Sequence, residues 1–410
     1  MLQKVPYNLI MLTLDCVRPD HLGCYGYSGV ETPHLDGLAA RGVLFEQAVA
    51  HAPNTWVSHA TLFTGLLPAQ HGLRAATHRL SPHGVTLAEW LSGHGYATAG
   101  FPGTSLVGRS QGFQRGVHFF HDAWERDAWQ IQEVLWRANW EDAWSGIVNW
   151  MEGTPEPFFL WIHYMDTHHL PEFQLPEYYR LRFSPRWQHY DGKISHSDQA
   201  CVARLLSSLK DRGRHERTVL MVFSDHGEEL REDDRPLHDG GLGEDVIRIP
   251  LIIALPPEME RLRARVPEQV RLVDLFPTAC ELLGLPNPPH LQGRSLVPLL
   301  RGDPSAGPDD SLAYLENWPR GYLGIRTPSW KLILRHSGDY GSVNSSPRVD
   351  GLYHLPTDPR ERVDLSSEHP SVLEQLRDCA LKWANGATPT GLDPEEMARV
   401  RRALEGLGYL

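Results

Sequence analysis

The stretch Asn8-Leu9-Ile10-Met11-Leu12-Thr13-Leu14-Asp15 decides the fold, because an apolar run without polar alternation ends on a single carboxylate. A run of this kind reads as a strand buried on both faces of a parallel sheet. Open α/β sheets gather ligands beyond the C-terminal ends of such strands, so Asp15 falls where chemistry is expected. The pattern recurs twice. Thr218-Val219-Leu220-Met221-Val222-Phe223 stops at Ser224-Asp225-His226-Gly227, and Pro157-Phe158-Phe159-Leu160-Trp161-Ile162-His163-Tyr164-Met165 stops at Asp166-Thr167-His168-His169. Adjacent Asp and His suit a divalent metal, one supplying a hard oxygen and the other an imidazole nitrogen.

Between these strands lies Ala52-Pro53-Asn54-Thr55-Trp56-Val57-Ser58-His59-Ala60-Thr61-Leu62-Phe63-Thr64-Gly65. Taken alone it reads as an exposed turn leading into a short helix whose hydroxyls satisfy backbone donors. It does not stand alone. Asp15-Cys16-Val17-Arg18-Pro19-Asp20-His21-Leu22-Gly23-Cys24-Tyr25-Gly26-Tyr27 and Thr32-Pro33-His34-Leu35-Asp36 precede it, and Leu66-Leu67-Pro68-Ala69-Gln70-His71-Gly72 follows. Downstream come His238 with Glu244-Asp245-Val246-Ile247-Arg248-Ile249-Pro250-Leu251, then Asp274-Leu275-Phe276-Pro277-Thr278 and Gln292-Gly293-Arg294-Ser295-Leu296. Leu352-Tyr353-His354-Leu355-Pro356-Thr357-Asp358-Pro359-Arg360-Glu361 and the terminal Leu407-Gly408-Tyr409-Leu410 complete the series. In that order, from residue 8 to residue 410, the chain resembles a sulfatase-family member of the alkaline phosphatase superfamily.

The resemblance implies an alkaline-phosphatase-like, doubly wound mixed sheet flanked by helices over residues 1–300. A small C-terminal α+β subdomain, with an antiparallel sheet and a terminal helix, is expected over 301–410. It implies that Asp15, Asp225 and His226 bind one divalent metal and that the Thr55 oxygen completes the shell. A threonine hydroxyl is a poor nucleophile at neutral pH, and a dication lowers its pKa enough to supply alkoxide. Asp166 and His168 resemble a pattern that faces the substrate, and His238 stands where relatives contact the substrate or a second metal. Whether those three residues form a second metal site or only hydrogen-bond the substrate is open. His59 matches a position held by Arg or His in relatives, or caps the nucleophile helix, while His163 and His169 read as structural.

Three departures matter. Sulfatases oxidise a Cys or Ser within a Cys/Ser-x-Pro-x-Arg motif to formylglycine, and Thr55-Trp56-Val57-Ser58-His59 cannot yield that aldehyde. Gly95-Tyr96-Ala97-Thr98-Ala99-Gly100-Phe101-Pro102-Gly103-Thr104 lacks the Lys and His that contact sulfate in arylsulfatases. Cys16 replaces a second acid, which argues for Zn or Mn over Ca; its other reading is a small buried hydrophobe. Threonine nucleophiles in the superfamily belong to phosphoryl-transfer enzymes, so the expected activity is metal-dependent hydrolysis of a phosphate or phosphonate ester through Thr55. The alternatives are a sulfuric ester hydrolase with direct Thr55 attack, a soluble phosphoryl transferase, and a metal-free binding module.

Composition bounds the partners. With 410 residues, 41% hydrophobic and 22% charged, the chain reads as globular, and a net charge of -12 argues against nucleic acid. A small anionic ester must then be drawn by metal and local cations, of which Arg18 and Arg248 are candidates. The 5 cysteines are scattered without paired spacing, which fits a reducing, cytoplasmic setting. No apolar run of about 18 residues occurs, so no membrane partner is expected, and homo-oligomerisation is left open. Tryptophans at 124, 129, 136, 140, 144 and 150 suit one packed helix face. Residues 172–197 read as a specificity loop. Leu312-Ala313-Tyr314-Leu315, Tyr322-Leu323-Gly324-Ile325-Arg326 and Trp330-Lys331-Leu332-Ile333-Leu334 read as strands, and Ser371 to Ala384 as a helix burying Val372, Leu376 and Cys379.

Overall fold

A computed structural model describes residues 6–121, 139–168, 174–185, 189–230, 236–237, 240–259, 264–303, 312–336 and 347–384. Trp124, Trp129, Trp136, His169, His238 and the terminal Leu407 to Leu410 lie outside the described residues. In chain order the strands are β1 (Asn8–Leu14), β2 (Val43–Val49), β3 (Ala97–Phe101), β4 (Phe119–Phe120), β5 (Phe158–Tyr164), β6 (Thr218–Phe223), β7 (Glu229–Leu230), β8 (Pro236–Leu237), β9 (Arg248–Ala254) and β10 (Arg265–Arg271). Eight of them form one sheet in the order β10-β2-β9-β6-β1-β5-β3-β4, and β7 pairs with β8 apart from it. Within the large sheet β9 is antiparallel to both neighbours, while the other pairs are parallel, so the sheet is mixed as expected.

The three apolar runs are the central strands, and their unbroken burial has a simple cause. Side chains alternate across a strand, and here both faces are covered. Leu9, Met11, Phe159, Trp161, Val219 and Met221 pack beneath the helix Thr55–Thr64 and the helix Leu275–Leu282. Ile10, Leu12, Leu160, Ile162, Leu220 and Val222 pack against the helices Pro33–Arg41, Trp140–Gly153 and Arg204–Asp211. Trp140 is buried on that second face, with Trp144 and Trp150 packed beside it, which is the core use read from their spacing. The segment 172–197 is not the loop expected: its described part contains the helices Glu177–Arg182 and Tyr190–Ser197, the second buried through Tyr190 and Ile194. Of its described aromatic residues Tyr190 is buried, whereas Tyr178 stays 58% exposed.

A second, antiparallel sheet runs β11 (Ala313–Asn317), β12 (Tyr322–Arg326), β13 (Trp330–Arg335) and β14 (Arg348–His354), in that spatial order. The helix Pro370–Ala384 packs on it through Leu376 and Ala380, with Val372 and Cys379 alongside. The two sheets are joined by buried charge. Arg74 grips Glu316 with Nε and Nη2, each at 2.5 Å, and lies 3.6 Å over the Trp318 ring. Arg326 pairs with Glu244 at 2.8 Å, and Lys331 reaches Glu244 at 3.3 Å and Glu361 at 2.7 Å.

Two histidines near this junction are held neutral. Burial pushes the His51 imidazole down to about 4, against a hydrogen bond to the Tyr314 carbonyl, and burial together with the Arg74 cation brings His71 to about 3. The unfolded chain binds these protons near pH 6.5, so the stability they confer is complete above that pH and is lost as pH falls toward about 4. Each histidine is expected to contribute a slope of at most about 1.4 kcal/mol per pH unit in that window. Urea unfolding followed across it checks this, with a shallower slope for His51→Gln; identical slopes would contradict it.

Candidate active site

The neighbours β6, β1 and β5 run parallel, so their C-terminal ends open on one edge of the sheet and bring Asp15, His163, Asp225 and His226 together. All four are buried. His163 Nε2 donates to Asp15 Oδ2 at 2.8 Å, a tautomer set by the Gly103 N–H, which donates to His163 Nδ1 at 3.4 Å. His226 Nδ1 faces the Gly227 carbonyl at 2.9 Å and can only donate there, which leaves Nε2 as an acceptor. The turn after β1 is pinned from several sides. Thr167 Oγ1 donates to the Asp15 carbonyl at 2.5 Å, Tyr190 to the Cys16 carbonyl at 2.6 Å, and the Val17 N–H to Ser224 Oγ at 2.9 Å.

Thr55 opens the helix Thr55–Thr64 and is only 4% exposed, so the segment is not the exposed turn its composition suggests. Its Oγ1 lies 3.2 Å from His226 Nε2 and 3.4 Å from Asp15 Oδ2. Asn54 precedes it without capping the helix, and Asn54 Oδ1 accepts no hydrogen bond although buried. The positive end of the helix is therefore left to whatever binds beside Thr55. Ser58 donates to the Ala52 carbonyl at 3.0 Å, and Thr64 Oγ1 donates to the Ala60 carbonyl at 2.6 Å while accepting from the Leu66 N–H at 3.2 Å. Gly65 ends the helix at φ 62, where a Cβ would sit 2.3 Å from Leu291. His59 bonds the Thr55 carbonyl through Nδ1 at 2.8 Å, and its buried Nε2 has no hydrogen-bond partner. Burial, with His163 beside it, holds His59 well below the usual imidazole range.

The carboxylates are the electrical centre. Burial opposes ionisation of Asp15, yet the hydrogen bond from His163 and the surrounding imidazoles hold it well below the usual range. Asp225 is pushed up, by burial and then by the Asp15 charge. Asp225 Oδ2 accepts no hydrogen bond, though His226 Nε2 is 3.4 Å away and His59 Nδ1 is 3.8 Å away. Two buried like charges with an orphaned oxygen are costly unless a cation joins them. Ligand atoms of Asp15, Cys16 and His226 lie within 4.8 Å of one another, and so do those of Asp15, His163 and Asp225. The donor set fits a divalent ion.

A profile described as Sulfatase matches residues 7–285, and one described as N-sulphoglucosamine sulphohydrolase, C-terminal, matches residues 238–382. The chain belongs to the sulfatase family. Human arylsulfatase A is 26% identical over 476 residues, covering 96% of this chain and 91% of that protein. The ulvan-active sulfatase of Formosa agariphila is 26% identical over 399 residues, covering 87% and 76%. Among solved structures, the phosphonate monoester hydrolase of Agrobacterium radiobacter superposes with a TM-score of 0.72 at 20% identity, covering 92% of this chain and 95% of that one. A protein solved with D-glucosamine-2-N,6-O-disulfate gives a TM-score of 0.73 at 18% identity, covering 94% and 99%. The alkaline-phosphatase-like fold is thereby established, and with it a family of ester hydrolases.

Within this sulfatase-family site, the structure brings Asp15, Thr55, Asp225 and His226 together. His168 is buried, and its imidazole favours the ionised form of Asp15, whereas Asp166 bears on the Cys201 thiol. His163, read from sequence as structural, donates directly to Asp15. Strand alternation puts residues 159, 161 and 163 on one face, but only the tertiary packing, in which Phe159 and Trp161 meet the helix of Thr55, shows that this face is the one turned to the site. Arg18 and Arg248 line a cleft of about 390 Å³ with Arg360 and Arg362, mixed with Asp20 and Asp245. Arg18 is paired to Asp20 at 2.8 Å and to the Glu228 carbonyl at 3.0 Å, so it braces the loop beyond His226.

Among the described residues no helix is long and apolar enough to cross a membrane. Because His163 orients Asp15, His163→Ala should weaken divalent-metal binding by about 10- to 100-fold, measured by competition with a chromogenic chelator. Unchanged affinity would show that Asp15 holds its geometry unaided.

Proposed function

We propose that this protein hydrolyses sulfate monoesters of a small anionic substrate, with Thr55 Oγ1 as the atom that attacks sulfur. The observation that carries this is the position of Oγ1, buried at a helix N-terminus between His226 Nε2 and Asp15 Oδ2. Either acceptor can take the hydroxyl hydrogen bond and fix the direction of the oxygen lone pairs. Asp15, Asp225 and His226 would hold a divalent cation, which when bound would offset the carboxylate charge and favour the ionised hydroxyl. In the first step the Thr55 hydroxyl gives up its proton to solvent, an Oγ1–S bond forms, the S–O bond to the alcohol breaks, and the leaving oxygen takes a proton. His168, buried close to Asp15, is the described group suited to give it. Water then cleaves the threonine sulfate and restores Thr55. Asp166 and His238 complete the residues assigned to substrate.

The preference for sulfur over a phosphate monoester has two supports. Relatives covering most of the chain are named as sulfatases, among them the mouse steryl-sulfatase at 25% identity. The residues 95–104 carry no lysine or histidine; that loss departs from the arylsulfatase pattern and weighs against a singly charged sulfate ester too, but less than against a doubly charged phosphate monoester. A phosphonate monoester is also singly charged and is the second reading. It is favoured by the superposition on the phosphonate monoester hydrolase and by the inability of Thr55 to become formylglycine.

Parallel assays on an aryl sulfate and an aryl methylphosphonate decide between the readings, the first predicting faster turnover of the sulfate. Thr55→Ala should lower kcat/KM by more than ~10³-fold on the preferred ester, with Thr55→Ser retaining part of the rate. Full activity in Thr55→Ala would remove Thr55 from the chemistry.

A further inference from the structure

Cys16 is a residue that the proposed reaction does not use. It follows Asp15 directly, is fully buried, and takes a left-handed backbone conformation at φ 58. A non-glycine residue in that region is strained, and such strain persists only where the surroundings impose it. Here they do. The Cys16 carbonyl accepts from Tyr190, its N–H approaches Asp225 Oδ1 at 3.4 Å, and the flanking Asp15 carbonyl and Val17 N–H are held by Thr167 and Ser224. The result is that Sγ turns back onto Asp15 Oδ1, 2.7 Å away.

An inert buried thiol seeks apolar neighbours. This one is set among ligand atoms, sharing with Asp15 and His226 a group whose members lie within 4.8 Å of one another. An independent observation points to an ion beside His226, a member of that group: Asp225 is only 1% exposed, and its Oδ2 has no hydrogen-bond partner and lies 3.4 Å from His226 Nε2. A first-row ion bound tetrahedrally at 2.0–2.3 Å needs its ligand atoms roughly 3.3–3.8 Å apart, which small side-chain movements would reach.

We infer that Cys16 is itself a metal ligand, so that the site binds a borderline-soft ion such as zinc through a thiolate and rejects calcium. The inference rests on the metal site proposed above. Thiolate and imidazole select zinc and cobalt, whereas calcium takes six to eight oxygens. Binding replaces the S–H bond by a sulfur–metal bond and releases the proton to solvent.

Cobalt(II) titrated into the full-length protein tests this without any assay of activity. The expected result is one tightly bound cobalt per chain with visible ligand-field bands and a near-ultraviolet thiolate-to-cobalt charge-transfer band. Cys16→Ser and Cys16→Ala should lose the charge-transfer band, and Cys16→Asp should exchange zinc preference for calcium preference. Cobalt bound by the native protein, released by Asp225→Ala, but with a charge-transfer band absent or unchanged in both Cys16 variants, would overturn the thiolate and leave the metal site standing. Failure of the native protein to bind cobalt would overturn both. Near-native circular dichroism of the variants shows that each loss is local, and if neither neutral variant folds, the missing band in the native protein alone is sufficient to reject the inference.

Discussion

Two carboxylates, Asp15 and Asp225, are brought to the ends of adjacent parallel strands in a place without solvent. Neither could remain ionised there beside the other at little cost, since buried like charges push each other toward the neutral form. The structure divides the problem. Asp15 is kept ionised by the hydrogen bond from His163, while Asp225 is raised and left with an oxygen that nothing in the chain satisfies. On the proposal made above, a cation would resolve the mismatch, and the imidazole, thiol and hydroxyl around it would then have roles they would not have in an apolar core.

The remainder of the fold serves to hold those groups in register. The helix Thr55–Thr64 lies on the sheet face that His163 shares, with Phe63 meeting Trp161 edge to face, and its N-terminus reaches the carboxylates. The loop of Asp225 and His226 is held from the other side. Gly227 and Glu228 donate to the Val246 and Asp245 carbonyls at 2.8 and 3.0 Å, and a Cβ on Gly227 would lie 2.0 Å from the Asp245 carbonyl oxygen. The short helix Glu244–Ile247 carries Glu244, which Arg326 and Lys331 grip from the second sheet. The C-terminal sheet is thus tied to the site through one buried acid, whose pKa is brought to about 2 against burial by those two cations.

Much of this was legible in the residues. The three central strands announce themselves by continuous apolar runs, and the acids at their ends follow from topology alone. Tyr322–Arg326 matches its expected bounds, and the expected strand 330–334 and helix 371–384 are each extended by one residue, because local periodicity specified them. What was not legible is tertiary. The role of His163 depends on which strand face meets the helix of Thr55, and that of Cys16 on a backbone turn imposed by Tyr190, which lies far away in sequence. The helices within 172–197 were masked by an irregular mixture of aromatic and basic residues that packs only in three dimensions. The ester itself was read toward phosphorus from Thr55; relatives that span nearly the whole chain shift the balance toward sulfate.

The measurement that bears most directly on this account is mass spectrometry of protein quenched in acid during turnover of an aryl sulfate. A sulfate adduct on the peptide containing Thr55, absent from Thr55→Ala and lost when the substrate is exhausted, is the predicted result. Sustained turnover with Thr55 unmodified throughout and its Ala variant equally active would contradict it.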